Sequence, residues 1–295
     1  MAEHIPVLAE ILVEQINLPT DAVMVDATIG QGGHSYLFGK RLSPNGTIVG
    51  MDVDEDALQK SEAVLKEVDC RLILVHSNFS QISERLRENG IEKVDFILAD
   101  LGLCSGQIDN DKFGLSFQTN MPLDMRIDKR LTYNAADIIN RTDEKSLADL
   151  IFKYGQDRAS RRIARFIVQA RKENKITTTG RLSEIVCRAL GKKGNRSRIH
   201  PATRTFQALR IAVNQELENL EKLLVEAPGL LNRDGWIAII SYHSLEDRIV
   251  KTDFRQKASD GIYKIITKKP IVPSQEEIEK NRRARSAKLR IAQKR

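Results

Sequence analysis

The first hundred residues alternate between short apolar segments and helical or glycine-containing segments, and this rhythm limits the fold more than any other feature. Each apolar segment is nearly continuous instead of alternating with polar residues. Strands buried on both faces have this pattern, because helices cover both sides of a parallel sheet. We therefore predict a doubly wound α/β core. Its first strands are predicted at residues 23–27, 47–52, 71–76 and 94–100.

The alternation of strand and helix patterns ends after the fourth predicted strand. Residues 108–198 show helical spacing of apolar residues and no buried strand. A long helix is predicted from Pro201 to about Glu226, before strand pattern returns at 236–241. We therefore predict a helical domain, 108–198, inserted into a core made of 1–107 and 199–295. Ligands bind beyond the carboxyl ends of such strands, so the insertion is expected to cover the site and recognise the substrate.

Charge is distributed unevenly in this chain, which carries a net charge of +7. Residues 188–210 hold seven basic side chains and no acidic one, and so do residues 281–295. A segment with charges of one sign is either exposed to solvent or bound to a polyanion. The presence of two such segments favours a nucleic acid partner.

The remaining composition indicates a reduced cytosolic protein. The three cysteines form no CxxC pair, so neither disulfides nor a structural metal site is expected. No apolar run reaches the roughly 20 residues of a membrane helix, and the N-terminus lacks the pattern of a secretory signal.

A cofactor site is predicted where the first strand meets a glycine turn. Gly30, Gly32 and Gly33 form the turn, and Asp52 ends the next strand 22 residues after Gly30. A carboxylate there accepts hydrogen bonds from ribose hydroxyls. The third glycine of a dinucleotide motif falls on Ser35, which argues against NAD. The alternative is a structural turn with Asp52 as a helix cap.

Two further residues follow strands at the same predicted edge. Phe79 comes just after the third strand and either packs on an adenine or belongs to the core. Asp100 ends the fourth strand, where a carboxylate is more often functional than not.

The motifs of this chain resemble the bacterial 16S rRNA (cytosine-N4) methyltransferase family RsmH, formerly MraW. The resemblance runs from His4 to the C-terminus. It rests on GQGGHS at 30–35, DLG at 100–102, PLDMR at 122–126, HPATRTFQALR at 200–210, SYHSLEDRIVK at 241–251 and RARSAKLR at 283–290.

The resemblance implies a class I methyltransferase core interrupted by a helical domain, with S-adenosylmethionine as methyl donor. The implied substrate is a decoding-centre cytidine, cytosine 1402 in the usual rRNA numbering, in the 16S rRNA of an assembled 30S subunit. The oligomeric state stays open, with a homodimer as one alternative. Matching positions for cofactor contacts are Gly32, Gly33, His34, Asp52, Phe79, Asp100 and Gln107.

Catalytic and RNA-binding roles are assigned to a second group of residues. Asp100 is expected to position the amine or the cofactor, in a reaction that needs neither metal nor covalent intermediate. Tyr242 and His243 are expected to stack on the base or carry its proton, a structural histidine being the alternative. RNA contacts, with intradomain salt bridges as the alternative, are expected from Arg126, His200, Arg204 and Arg210.

The chain departs from the family pattern after Asp100-Leu101-Gly102. Cys104-Ser105-Gly106-Gln107 stands where the family has Ser-Ser-Pro-Gln, so a changed loop or reduced activity is one expectation. Cys104 also raises the alternative of cytosine C5 methylation through a thiolate. A non-catalytic RNA-binding or assembly factor is the third class, against which the intact glycine turn, Asp52 and Asp100 argue.

Overall fold

The structure is a computed structural model that describes residues 6–103, 113–191 and 199–295 of the chain. Its contacts divide into two compact units. The α/β unit comprises Met1–Gly102 and Leu217–Arg295, and the helical unit comprises Leu103–Glu216. In the described ranges no helix is long and apolar enough to cross a membrane.

A seven-stranded sheet forms the centre of the α/β unit, in the order β3-β2-β1-β4-β5-β7-β6. The strands β1 to β5 pair in parallel, and β7 runs antiparallel to both β5 and β6. The predicted doubly wound class I core is therefore confirmed. The strands are β1 Val23–Asp26, β2 Thr47–Asp52, β3 Arg71–His76, β4 Val94–Asp100, β5 Leu231–Ser241, β6 Tyr263–Ile265 and β7 Lys288–Lys294.

Helices connect these strands and form the helical unit. In chain order they are α1 Ala9–Gln15, α2 Gly33–Gly39, α3 Glu55–Leu65, α4 Ile82–Glu88, α5 Ala135–Arg141, α6 Glu144–Gly155, α7 Ser160–Glu173, α8 Thr179–Leu190, α9 Thr203–Asn214, α10 Glu216–Leu230, α11 Ser244–Ser259 and α12 Gln275–Lys280. Single 3₁₀ turns occur at Phe79–Gln81 and Arg282–Ser286.

Consecutive residues of the central strands enter different hydrophobic cores. Ile97 of β4 packs in one cluster with α10 and α11, while its neighbour Phe96 packs in the other with Leu12 of α1 and Phe38 of α2. Side chains alternate between the two faces of a strand, so a sheet covered on both faces needs apolar residues at nearly every position. This is the physical reason for the continuous apolar segments in the sequence.

The helical unit has a core of its own, built from α5 to α9. Apolar residues at helical spacing turn inward, as Ile163, Ala164 and Ile167 do on α7. The helices are capped locally, since the Asp143 side chain accepts the Ser146 N–H at the start of α6, and Thr178 that of Arg181 at the start of α8.

The predicted long helix from Pro201 is in fact two helices. The chain leaves α9 through Gln215, whose φ of 52° lies in the left-handed region, and α10 begins at the next residue. Asn214 fixes this end, because its side chain accepts the Ile127 N–H and donates to the Met125 carbonyl, both at 2.9 Å.

The second domain boundary also differs from the predicted 198/199. Helix α9 places Phe206, Leu209 and Val213 in the core of the helical unit, so the division falls between Glu216 and Leu217. The predicted first boundary, 107/108, lies outside the described residues.

Candidate active site

Parallel strands bring the predicted site residues of the α/β unit to one edge of the sheet. Asp52 ends β2 and Asp100 ends β4, whereas Tyr242 directly follows β5. Asp100 is in register with Ile240 of β5, and the last residue of β1, Asp26, is in register with Gly50 of β2. The carboxyl ends of four neighbouring strands therefore supply polar side chains to the place where ligands of such sheets bind.

The glycine turn is tied to the end of β2. Gly30 and Gly32 have φ values of 52° and 82°, which an L side chain rarely adopts. A Cβ on Gly32 would in addition lie 3.2 Å from the Ser61 Cβ. Asp52 accepts the Gly30 N–H at 2.9 Å with one oxygen and the Asp54 N–H at 3.0 Å with the other. The turn and the carboxylate are thus held in one fixed arrangement.

Asp52 does not cap a helix, because Asp54 is the N-cap of α3 and its side chain accepts the Asp56 N–H. Burial raises the pKa of Asp52 to about 6, although the two backbone N–H groups act in the opposite direction. Each carboxylate oxygen has two lone pairs and spends one on the backbone, which leaves acceptor capacity for two ligand hydroxyls.

His34 directs its side chain into the protein. The buried ring places Nε2 2.9 Å from the Val7 carbonyl oxygen. Its neighbour Ser35 donates to the buried carboxylate of Asp26 at 2.7 Å. Burial raises the pKa of Asp26, and His34 opposes that shift. A cofactor contact of His34 would therefore use its main chain or its other ring nitrogen.

Phe79 lies in the 3₁₀ turn after β3, where it is half-buried and packs against the core on the α10 and α11 side of the sheet. Both sequence interpretations of Phe79 agree with this position, since part of the ring stays accessible. Gln107 and Cys104 lie outside the described residues.

Asp100 is held from several directions. Its N–H donates to the Thr28 hydroxyl at 2.7 Å, and its Oδ1 accepts the Gly102 N–H at 3.0 Å. The Tyr242 side chain lies beside this carboxylate and interacts with it electrostatically. A Cβ on Gly102 would lie 2.7 Å from the Tyr242 ring, so only glycine allows the ring to pack here.

Tyr242 supplies a protonated phenol at this edge. Burial, followed by the adjacent Asp100 carboxylate, raises the pKa of Tyr242 well above its usual range. A phenol held protonated in this way does not accept a proton at neutral pH.

His243 has a structural task as the N-cap of α11. Its Nδ1 accepts the Glu246 N–H at 3.4 Å, while the Glu246 carboxylate accepts the N–H groups of His243 at 3.1 Å and Tyr242 at 2.8 Å. This is a reciprocal capping box. The buried Nε2 lies 3.1 Å from Glu246 Oε1 without the geometry of a hydrogen bond. The ring thus belongs to the helix cap.

Glu246 was not among the predicted site residues, yet it is 2% exposed and fixes the main chain of the Tyr242-His243 turn. The signal was present in the sequence, because a glutamate three residues after an N-cap residue is the capping-box spacing. The capping box was not recognised because its N-cap residue is a histidine and not the usual serine or threonine.

The four predicted RNA contacts all lie in the helical unit, in two different situations. Arg126 donates to both oxygens of Asp124, at 2.7 and 3.0 Å, and to the Leu131 carbonyl. Arg210 forms a bidentate pair with Glu216 at 2.8 and 2.9 Å. Both arginines thus make the intradomain salt bridges that the sequence left as the alternative.

His200 and Arg204 are exposed. The His200 ring stacks on Phe117 at 4.5 Å between centroids, and Arg204 Nη1 lies 3.4 Å from the Gln156 carbonyl oxygen. Both side chains are accessible to a ligand of the helical unit.

The basic segment 281–295 is partly structural. Arg290 is buried in β7 and donates to Asp247 at 2.7 Å, and Lys294 donates to two carbonyl groups near the start of β5. These charges complete the sheet and are not available to a polyanion. Of the segment 188–210, residues 192–198 lie outside the described ranges.

Comparison with known proteins covers the whole chain. A family model described as the MraW methylase family matches residues 1–295. Three curated relatives carry the name Ribosomal RNA small subunit methyltransferase H. The chain is 44% identical to the protein of Clostridioides difficile strain 630, with 99% of this chain and 98% of the relative covered. It is 42% identical to that of Brevibacillus brevis, with 99% and 98% covered, and 45% identical to that of Carboxydothermus hydrogenoformans, with 99% and 97% covered. The chain belongs to the MraW methylase family.

Proposed function

We propose that this protein transfers the methyl group of S-adenosylmethionine to the exocyclic N4 amine of a cytidine in the 16S rRNA of the small ribosomal subunit. The observation that carries the proposal is Asp100, a carboxylate held by the Gly102 N–H beside Tyr242, on the same sheet edge as the Asp52 and glycine-turn site. Membership of a methylase family and relatives named for small-subunit rRNA support it.

The residues at the ends of β1 to β3 fit the methyl donor. Asp52 has acceptor capacity for the two ribose hydroxyls, and hydroxyl donors would stabilise an ionised carboxylate that is short of solvent. The glycine turn presents main chain without side chains, and Phe79 offers a partly accessible ring for the adenine. When bound, the donor supplies an electrophilic methyl group on a sulfonium.

The protein must also make the cytosine N4 amine, a poor nucleophile, attack the methyl group of the donor. The lone pair of the cytosine amine is delocalised into the ring. A carboxylate that accepts an N–H of this amine orients the lone pair and favours the positive charge that develops as the N–C bond forms and the S–C bond breaks. The extra proton on N4 then passes to the adjacent Asp100 carboxylate or to water. The Gly102 N–H holds the Asp100 carboxylate beside the packed Tyr242 ring, so little reorganisation is needed during the reaction.

Mass spectrometry of nucleosides tests the proposal. Small subunits that lack the modification are incubated with the full-length protein and methyl-labelled S-adenosylmethionine, beside a Cys104→Ser variant. Label in N4-methylcytidine with both proteins is the expected result. Label in 5-methylcytidine that disappears in the variant would contradict the proposal and indicate thiolate chemistry. Cofactor binding without any label would contradict methyl transfer to this substrate.

The same assay addresses the assembly state of the substrate and the protein. We propose that the assembled 30S subunit is the substrate, and therefore expect faster labelling of subunits than of deproteinised 16S rRNA. The site of action would then be the cytoplasm, where subunits assemble. Sedimentation of the active protein distinguishes a homodimer from a monomer.

A further inference from the structure

Helix α7 of the helical unit carries an unusual density of arginine. Residues 158–172 contain six basic side chains and no acidic one. Arg158, just before the helix, and Arg161, Arg162 and Arg165 in its first turns are all exposed, and we refer to these four as the arginine row. The segment does not stand out in the charge pattern of the sequence, because acidic residues at 157 and 173 lie at its two ends.

The arginine row is directed outward by the packing of α7. Ile163, Ala164 and Ile167 are buried in the core of the helical unit. At 100° per residue, Arg161 and Arg165 fall on the side opposite Ile163 and Ile167 and lie one above the other. The core thus fixes the direction in which these guanidinium groups project.

Helix α7 gains little from these charges at its N-terminus. Its first turn has no acidic residue and no side-chain cap, although the Asp157 carboxylate accepts the Ala159 N–H just before the helix. Positive side chains near a helix N-terminus interact unfavourably with the helix dipole. Helix stability therefore does not explain the position of these arginines, whereas binding of a partner does.

The arginine row also lacks ion-pair partners among the residues that the structure describes. In the described ranges, none of its four members forms an ion pair, although Arg162 lies over the Phe166 ring at 5.8 Å. Other arginines of the same unit are paired with acidic side chains, with N to O distances of 2.7 to 3.4 Å for Arg126, Arg130, Arg141, Arg181 and Arg210.

We propose that the arginine row binds the phosphodiester backbone of the RNA substrate. The inference rests on the proposed function and names the surface that holds its substrate. Guanidinium groups donate two parallel hydrogen bonds to phosphate, and several in a row match a polyanion better than one anion. Such contacts position an RNA without reading its sequence. Arg204 extends the basic surface, since its guanidinium lies 3.4 Å from the carbonyl of Gln156, two residues before Arg158.

A matched pair of triple variants of the full-length protein tests the inference. R158Q/R161Q/R165Q removes three unpaired arginines, and R130Q/R141Q/R181Q removes three ion-paired ones from the same unit. For the first variant we expect the KM for unmethylated small subunits to rise on the order of tenfold, with kcat and cofactor affinity unchanged. Each lost phosphate contact lowers the slope of log affinity against log salt by about 0.7 to 0.9, so the slope for 16S rRNA should fall by about 2 to 3.

Each outcome decides one question. Equal KM values and salt slopes for the two variants would overturn the inference while leaving the proposed function intact. A raised KM for subunits with an unchanged salt slope on deproteinised 16S rRNA would also overturn it, because the partner would then be an acidic protein surface. Failure of the wild-type protein to methylate subunits would refute the proposed function, and the salt slopes on RNA would still test the arginine row.

Discussion

The carboxyl edge of the sheet and the arginine row are both rich in charge but are organised in opposite ways. At the sheet edge, main-chain N–H groups or a neighbouring hydroxyl already hold Asp26, Asp52 and Asp100. In the arginine row the guanidinium groups project outward, and the described residues offer them no ion pair.

This difference matches two kinds of work. Groups that act on a reacting atom must be fixed before the substrate arrives, because reorganisation during the reaction costs rate. Groups that hold a backbone of repeated phosphates tolerate movement, and their contributions are small and nearly independent. Substitutions at the sheet edge should therefore change kcat strongly, and single substitutions in the arginine row should change KM weakly.

The largest effect is expected for Asp100→Asn. An amide keeps the shape of the carboxylate and removes the charge that stabilises the developing cation, so kcat should fall by about 100-fold or more. Single-turnover methylation of small subunits measures this, with cofactor affinity by calorimetry as the control. Activity within tenfold of wild type would show that Asp100 only shapes the site.

Tyr242→Phe should have the next largest effect. The ring still packs on Gly102, but the Asp100 carboxylate loses the neighbouring hydroxyl, and we expect kcat to fall roughly tenfold. Glu246, which fixes the same turn, is left in place. An unchanged kcat with a lower thermal stability would assign Tyr242 to packing alone.

Cofactor affinity should depend on pH through Asp52. The pKa of this carboxyl is raised to about 6, so it is ionised at neutral pH and becomes protonated as the pH falls through that value. A protonated carboxyl accepts ribose hydroxyls poorly, and affinity should fall by up to about tenfold per pH unit below 6. Asp52→Asn should bind weakly at every pH. An affinity of the wild type that is constant from pH 7.5 to 5 would exclude this role.

Arg126→Gln should change stability and leave RNA binding alone. Burial alone would raise the pKa of Asp124, but hydrogen bonds from Arg126 and the nearby Lys129 hold it below its usual value. Loss of this bidentate pair should lower the free energy of unfolding by about 1 to 2 kcal/mol at neutral pH. The cost should shrink in acid as Asp124 becomes protonated. Urea unfolding and the KM for subunits measure the two properties, and a raised KM without loss of stability would reverse this assignment.

The smallest effect is expected for Arg165→Gln. One phosphate contact among several should raise the KM for subunits by about two- to threefold at moderate salt and lower the salt slope by less than one. Methylation assays at several salt concentrations are sensitive enough. A loss of activity as large as that of the triple variant would mean that Arg165 makes a specific contact.

The sheet could be predicted because its signals are local. Each strand from β1 to β4 is a short apolar segment next to a turn or helix, and the predicted fourth strand, 94–100, agrees with β4 residue for residue. Asp52 and Asp100 could be placed at one edge, since parallel strands share the direction of their carboxyl ends. These inferences needed no knowledge of distant contacts.

The last strand and the helix break could not be predicted in this way. In β7 the buried Leu289 and Ile291 alternate with charged residues, so the sequence of this segment resembles a basic tail. In the folded chain Arg290 pairs with Asp247, which lies 43 residues earlier. The break at Gln215 contains neither glycine nor proline, and the Asn214 side chain holds it through contacts some 89 residues away.

Charge pattern alone likewise could not separate the arginines. Arg126 lies in a motif shared with the family and forms a salt bridge with Asp124. Arg158 lies in a segment without a family motif and is exposed. Only the positions of neighbouring carboxylates distinguish these two situations, and those positions are a property of the folded chain.

The pairing of β4 with β5 has a consequence for the synthesis of this protein. Residues of the two strands lie side by side, as Phe96 and Trp236 do, although the helical unit is made between them. At about 5 to 20 residues per second, a ribosome needs roughly 7 to 28 seconds to go from one partner to the other. During that interval the apolar edge of β4 has no neighbour and resembles the open strand edges from which aggregation begins. Slow translation or a shortage of chaperones should therefore reduce the soluble yield of this protein more than its final stability would suggest.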